Sequence, residues 1–252
     1  MRRNTQAFTL VELLVVIAII GILATAVGAG LARAKSAAKS TICISNLKQF
    51  GMSSQMYWDD NAQRAFPYLK STDMDGAVYW FGWLGRGEEG ARALDRSKGA
   101  LWTYLGGSGL ELCPSFRYQD PLYKPKALSA SFGYGYNLHL TQPKSGAFRF
   151  DGRGRLISEI ASPSSVILFA DSAQINDFQA PASRDHPLIE EFYYVNHGPS
   201  VYANGHFRHT RQAMTVFCDG HVSSEKPEHG TTDTRLPDAN IARFRAEILI
   251  PR

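Results

Sequence analysis

Ala7-Phe8-Thr9-Leu10-Val11-Glu12 leads directly into an uncharged apolar run from Leu13 to Ala32, and this junction decides how the rest of the chain is arranged. The run is twenty residues long, about what an α-helix needs to cross a ~30 Å hydrocarbon layer. Eleven of its residues are Leu, Ile or Val, and at roughly −0.3 to −0.6 kcal/mol each they favour insertion by about 5 kcal/mol. Glu12 opposes the trend. A carboxylate in an apolar membrane segment costs on the order of 2–3 kcal/mol and marks function, with a partner to be named. An ordinary secretory signal has a basic start, an apolar stretch of about 7–15 residues and a small-residue cleavage site. Ala24-Thr25-Ala26 would supply that site, but Glu12 would then stand near the start of the apolar stretch, where no charge is expected. Arg2 and Arg3 precede the span while Arg33, Lys35 and Lys39 follow it, so the positive-inside rule does not orient it.

The helix is expected to continue past the membrane. Residues 34–57 contain no Pro, and Cys43, Leu47, Phe50, Ser54 and Tyr57 recur at steps of four and three, which places a mostly apolar stripe on one face for packing against a sheet. One helix from Phe8 to Tyr57 would be about 75 Å long at ~1.5 Å per residue, with Asp59-Asp60-Asn61 breaking it. Turn formers then punctuate short apolar segments at 78–84, 100–105, 131–138, 166–170, 192–195 and 214–218, a β-rich pattern with one or two short helices. Asp219-Gly220, between Thr215-Val216-Phe217-Cys218 and His221-Val222-Ser223, predicts an antiparallel hairpin closed by a tight primed turn. Residues 176–187 and 227–238 read as surface loops, the second before a last strand or helix ending at Ile250. The expected organisation is α+β: a basic stretch over 1–7, a transmembrane helix over 8–32, its continuation over 33–58, and a β-rich globular head over 59–252; the leader and assembly roles of the first two are what the resemblance described below implies.

Composition bounds the function. Lys and Arg number 27 against 23 Asp and Glu, and without Arg2 and Arg3 the excess falls to two, so no phosphate-neutralising surface for nucleic acid is expected. The three cysteines, Cys43, Cys113 and Cys218, permit at most one intrachain disulfide in an exported domain. Cys43 with Cys113 is the pair nominated, though the sequence supplies no geometry for it.

The basic leader, Phe8-Thr9-Leu10-Val11-Glu12 and the apolar run resemble the start of type IV prepilins and type II secretion pseudopilins. That resemblance implies cleavage between Ala7 and Phe8 by a prepilin peptidase, N-methylation of Phe8, a cytoplasmic amino terminus and a head beyond the inner membrane. Ala7 departs from the family's usual Gly. Glu12, fifth in the mature chain, would pair with the amino terminus of a neighbouring Phe8 and set subunit register, since an unpaired charge in a low-dielectric core is costly. Further pieces, among them Cys43-Ile44-Ser45-Asn46-Leu47-Lys48-Gln49, Cys113-Pro114-Ser115, Tyr134-Gly135-Tyr136-Asn137 and Phe169-Ala170-Asp171, resemble a pseudopilin-like group of planctomycete and verrucomicrobial lineages. His209, nine intervening residues and Asp219-Gly220 are similar to its H-x(9)-DG signature. The implied partners are the peptidase, other pilin subunits and the inner membrane.

Other constellations are weaker. His206-x-x-His209 and Cys218-x-x-His221 have zinc-like types and spacing, with Cys218 and His221 expected as cross-strand neighbours. The preferred expectation is that His209 and Asp219 brace the hairpin through side-chain hydrogen bonds. Calcium, held by many of the resembled pseudopilins, would find oxygens at Asp171, Asn176 and Asp177 or at Glu228, Asp233 and Asp238. No resident cofactor is assigned. The chain has no G-x-S-x-G elbow and no H-E-x-x-H, so no enzyme is expected, and Tyr79, Trp80, Phe81 and Trp83 are expected to be core. The leading expectation is a pilin or pseudopilin subunit. The alternative is a membrane-anchored module whose head binds a glycan or protein.

Overall fold

The structure is a computed structural model describing residues 9–107, 112–128, 133–142, 153–198 and 202–251. Helix α1, Leu10–Asp60, is continuous. Its contacts divide the chain into two compact units, one up to Lys39 and the other from Ser40 onward.

In the first unit, thirteen Leu, Ile and Val side chains between Leu10 and Leu31 are exposed. No soluble surface leaves such an apolar cylinder bare, and by length and composition the helix is able to cross a membrane.

The second unit is built on the remainder of α1. The predicted stripe is buried as expected: Cys43, Leu47, Phe50 and Ser54 are fully buried and Tyr57 is half-buried. Phe50 packs on Phe169 at 4.7 Å, Tyr134 at 5.5 Å and Trp80 at 5.9 Å between ring centroids. The helix runs three residues past the predicted end. It stops where Ala62 and Gln63 turn left-handed and Gln63 N–H donates back to the Trp58 carbonyl, a C-terminal cap that satisfies a carbonyl left open by the last turn.

A first meander runs through β1 (Leu69–Thr72), β2 (Gly76–Tyr79), β3 (Gly82–Gly85) and β4 (Leu94–Asp95), all antiparallel. Its Trp80 and Phe81 are buried, and Trp80 Nε1 donates to the Tyr193 carbonyl. The central sheet contains β5 (Tyr134–Asn137), β8 (Ile167–Asp171), β11 (Tyr194–Val195), β13 (Ala213–Phe217) and β14 (Val222–Glu225) in the order β11-β5-β8-β13-β14. All its pairings are antiparallel except β11 with β5. Short ladders join β6 (Thr141–Gln142) to β7 (Arg153–Gly154), β9 (Gln174–Asn176) to β10 (Leu188–Glu190), and β12 (Gly205–His206) to β15 (Ile241–Ala242). A single helical turn, α2 (Ala246–Leu249), closes the described chain. The architecture is α+β, as expected.

Residues 100–105, one of the short apolar segments, form helical turns, with Leu105 N–H bonded to the Leu101 carbonyl. One local expectation changes. The β13–β14 hairpin forms, but its turn is not a primed one. Gly220 has φ +89° while Asp219 lies outside the positive-φ region, and Phe217 pairs with His221 across a three-residue loop. This is a type I turn followed by a left-handed glycine.

Candidate functional site

The amino-terminal motif is positioned by its own helix start. Thr9 caps α1: its backbone N–H and its hydroxyl both donate to Glu12 Oε2 at 2.8 Å, and Glu12 N–H donates to Thr9 Oγ1 at 3.2 Å. This reciprocal Thr-x-x-Glu pair is a capping box, a second role for Glu12 that its membrane cost conceals in the sequence. Ala7 and Phe8 lie outside the described residues.

A second site was not anticipated as a unit. Cys43 from α1, Cys113, Asp171 from the end of β8, and His209 are all buried, and their ligand-type atoms lie within 4.8 Å of one another. The expected Cys43–Cys113 disulfide is absent: both thiols are free, placed side by side and facing the same imidazole and carboxylate. His209 is held by a two-residue turn in which Thr210 (φ 54°) and Arg211 (φ 61°) are both left-handed and His209 and Gln212 exchange both backbone bonds. Left-handed Thr and Arg in such a turn are strained by roughly 1–3 kcal/mol each, and persist only where surroundings dictate them.

One face of the His209 ring edge carries the chemistry. Nε2 lies 3.8 Å from Cys113 Sγ and 3.2 Å from Asp171 Oδ2, while Nδ1 meets Ser40 Oγ at 3.1 Å. In a nucleophile–His–acid triad the acid and nucleophile engage opposite ring nitrogens. Here both converge on one. Asp171 also accepts from Met214 N–H at 2.8 Å through Oδ2 and from Arg208 Nη2 at 2.6 Å through Oδ1. Burial pushes the Asp171 carboxyl up, but Arg208 and His209 outweigh it and hold it below the usual range. Burial likewise raises the Cys113 thiol, but the Cys43 hydrogen bond, the Arg208 charge and the His209 hydrogen bond bring it down to about 5. Burial lowers His209, yet its bonds to Asp171 and Cys113 take it up to about 9.

The predicted zinc-like set is not brought together. Cys218 sits in the hairpin loop, buried, its N–H bonded to the Val166 carbonyl. His221 is instead stacked on Phe217 at 4.4 Å and bonded through Nδ1 to Asp219 Oδ1 at 2.6 Å. The three-residue loop moved the register by one, so Phe217 rather than Cys218 opposes His221. His206 bonds Arg208 at 3.2 Å. The expected bracing holds for Asp219, which also accepts from His221 N–H at 3.1 Å, but not for His209, which the buried cluster takes. Gly220 packs on α1, where an added Cβ would meet Gln55 Nε2 at 2.8 Å and where Gln55 donates to the Asp219 carbonyl at 3.1 Å.

Among the calcium candidates, Asp177 and Asp233 converge on Arg235 at 2.8 and 2.6 Å, Asp171 belongs to the buried cluster, and Asn176 Nδ2 donates to Glu190 at 3.0 Å. Glu190 is itself buried with Lys124 at 3.0 Å and Lys126 at 3.2 Å, an ionic network tying β10 to the segment that precedes β5.

Residues 2–28 match the model of the prokaryotic N-terminal methylation motif. The match supports a type IV pilin-like protein, of the kind processed by prepilin peptidase, and the apolar α1 segment fits its membrane anchor. No curated protein and no solved structure matches the chain.

Proposed function

We propose that this chain is a non-enzymatic structural subunit of a type IV pilus or type II secretion pseudopilus-like filament. It is cut between Ala7 and Phe8, methylated on Phe8 and assembled through α1, with a cytoplasmic amino terminus and the head beyond the inner membrane. The observation that carries this reading is the methylation motif over residues 2–28 leading into a helix whose described large apolar side chains are exposed from Leu10 to Leu31. Membrane lipid covers that cylinder before assembly and neighbouring helices cover it afterwards. Glu12 supplies the carboxylate for a neighbour's amino terminus.

Mass spectrometry of the mature amino terminus tests the reading. A chain beginning at methylated Phe8 is the expected result, and one beginning after Ala26 overturns it. Glu12→Ala is expected to insert normally but to be lost from sheared filaments. Undiminished incorporation would remove Glu12 from the assembly role.

A further inference from the structure

We propose that Cys43, Cys113, His209 and Asp171 form a structural zinc site inside the head. The four residues lie 70, 58 and 38 positions apart in sequence, so their convergence belongs to the fold and not to a local motif. All four are at least nine-tenths buried. With ligand bonds of about 2.0–2.3 Å, the ligand atoms of a tetrahedral zinc stand about 3.3–3.8 Å apart. The two separations from His209 Nε2, 3.8 Å to Cys113 Sγ and 3.2 Å to Asp171 Oδ2, fall at these values, and the other pairs lie within 4.8 Å.

The surroundings fit a metal better than a nucleophile. The same ring nitrogen faces both the thiol and the carboxylate, which leaves Nδ1 to donate to Ser40 Oγ, the outer hydrogen bond that orients a ligating histidine. Two thiolates and Asp171 carry three negative charges; a divalent ion and the buried Arg208, bonded to Asp171 Oδ1, cancel them. Binding releases to solvent the protons that the thiols and His209 Nε2 carry. Four protein ligands and full burial make a closed site, the pattern of structural rather than catalytic zinc. Soft thiolates with imidazole select zinc over calcium or magnesium. The site would join α1, the segment after the meander, the central sheet and the strained turn at Thr210-Arg211, crosslinking regions that share no local contact order. It stands independently of how the amino-terminal helix assembles.

The test uses the full chain in detergent, reduced, loaded with zinc and desalted. The expected result is about one zinc per chain, and with cobalt alone a tetrahedral visible spectrum accompanied by a thiolate-to-cobalt charge-transfer band. Cys113→Ser and His209→Ala should reduce bound zinc at least about tenfold, whereas Cys218→Ser, at the third buried thiol, should retain it. Should the ligand variants fail to fold, the wild-type chain still decides: a chelator should lower its Tm and zinc should restore it. A desalted wild-type chain without metal overturns the proposal, as does equal loss of zinc in Cys218→Ser. Recovery of a Cys43–Cys113 disulfide from natively produced protein also overturns it.

Discussion

The two halves of α1 share one uninterrupted backbone and have opposite surfaces. Between Leu10 and Leu31 every described large apolar side chain is exposed, whereas Cys43, Leu47 and Phe50 are fully buried. The first half is apolar all round and the second is apolar along one stripe. A helix that is apolar on every side belongs in lipid or a bundle, while a stripe belongs on a folded core. The difference teaches that a single helical element here has two kinds of surface, the first half fitted to an apolar surrounding such as a membrane and the second to packing on the head.

Breaking the packed half has the largest expected effect. Phe50→Ala removes a ring in contact with Phe169, Tyr134 and Trp80 and should cost the head about 3–5 kcal/mol, read as a lowered denaturant midpoint, with membrane extraction behaviour unchanged. Ile19→Lys should do the reverse. It raises the insertion free energy by about 3–4 kcal/mol, releasing the chain from membranes in carbonate extraction, while the head's midpoint stays at the wild-type value. If either variant alters both readouts equally, the division of labour along the helix is wrong.

Acid sharpens the contrast by a smaller amount, because among the described residues only the head carries a buried ionic network. Burial raises the Glu190 carboxyl, but Lys126, Gln174 and Lys124 outweigh it and hold it below its ordinary 4.5. A carboxyl depressed in the folded state contributes stability that is present above the unfolded value and lost as pH falls through the folded one. The head's unfolding midpoint should therefore fall below about pH 4.5. Lys124→Met should flatten that slope; an unchanged slope would assign acid sensitivity elsewhere. The smallest effect is expected at the helix start, where Thr9→Ala removes the capping box and should cost about 1 kcal/mol, seen as faster amide exchange confined to the first turn of α1.

Much of this was legible in the sequence, for identifiable reasons. The unbroken apolar run Leu13–Ala32 and the periodic stripe Cys43–Leu47–Phe50 both signal helix, and one helix, Leu10–Asp60, contains them. The hairpin around Asp219-Gly220 was legible, but its turn type was not, because Asp-Gly serves equally in a primed turn and in the longer loop that places Gly220 against Gln55. The buried cluster was visible only in fragments. Cys43 and Cys113 read as a disulfide, Asp171 as a calcium oxygen and His209 as a hairpin brace, since each is contributed by a different element and no spacing rule spans them. The strained Thr210-Arg211 turn that aims His209 carries no Gly or Asn to announce it.

One consequence follows from where β13 meets the helix. His209 touches α1 at Ser40, and Asp219-Gly220 touches it at Gln55, fifteen residues and about 22 Å farther along the same axis. The nine residues between His209 and Asp219 thus act as a ruler. Their number matches a distance on another element, so inserting or deleting one of them would pull either His209 off Ser40 or Gly220 off Gln55.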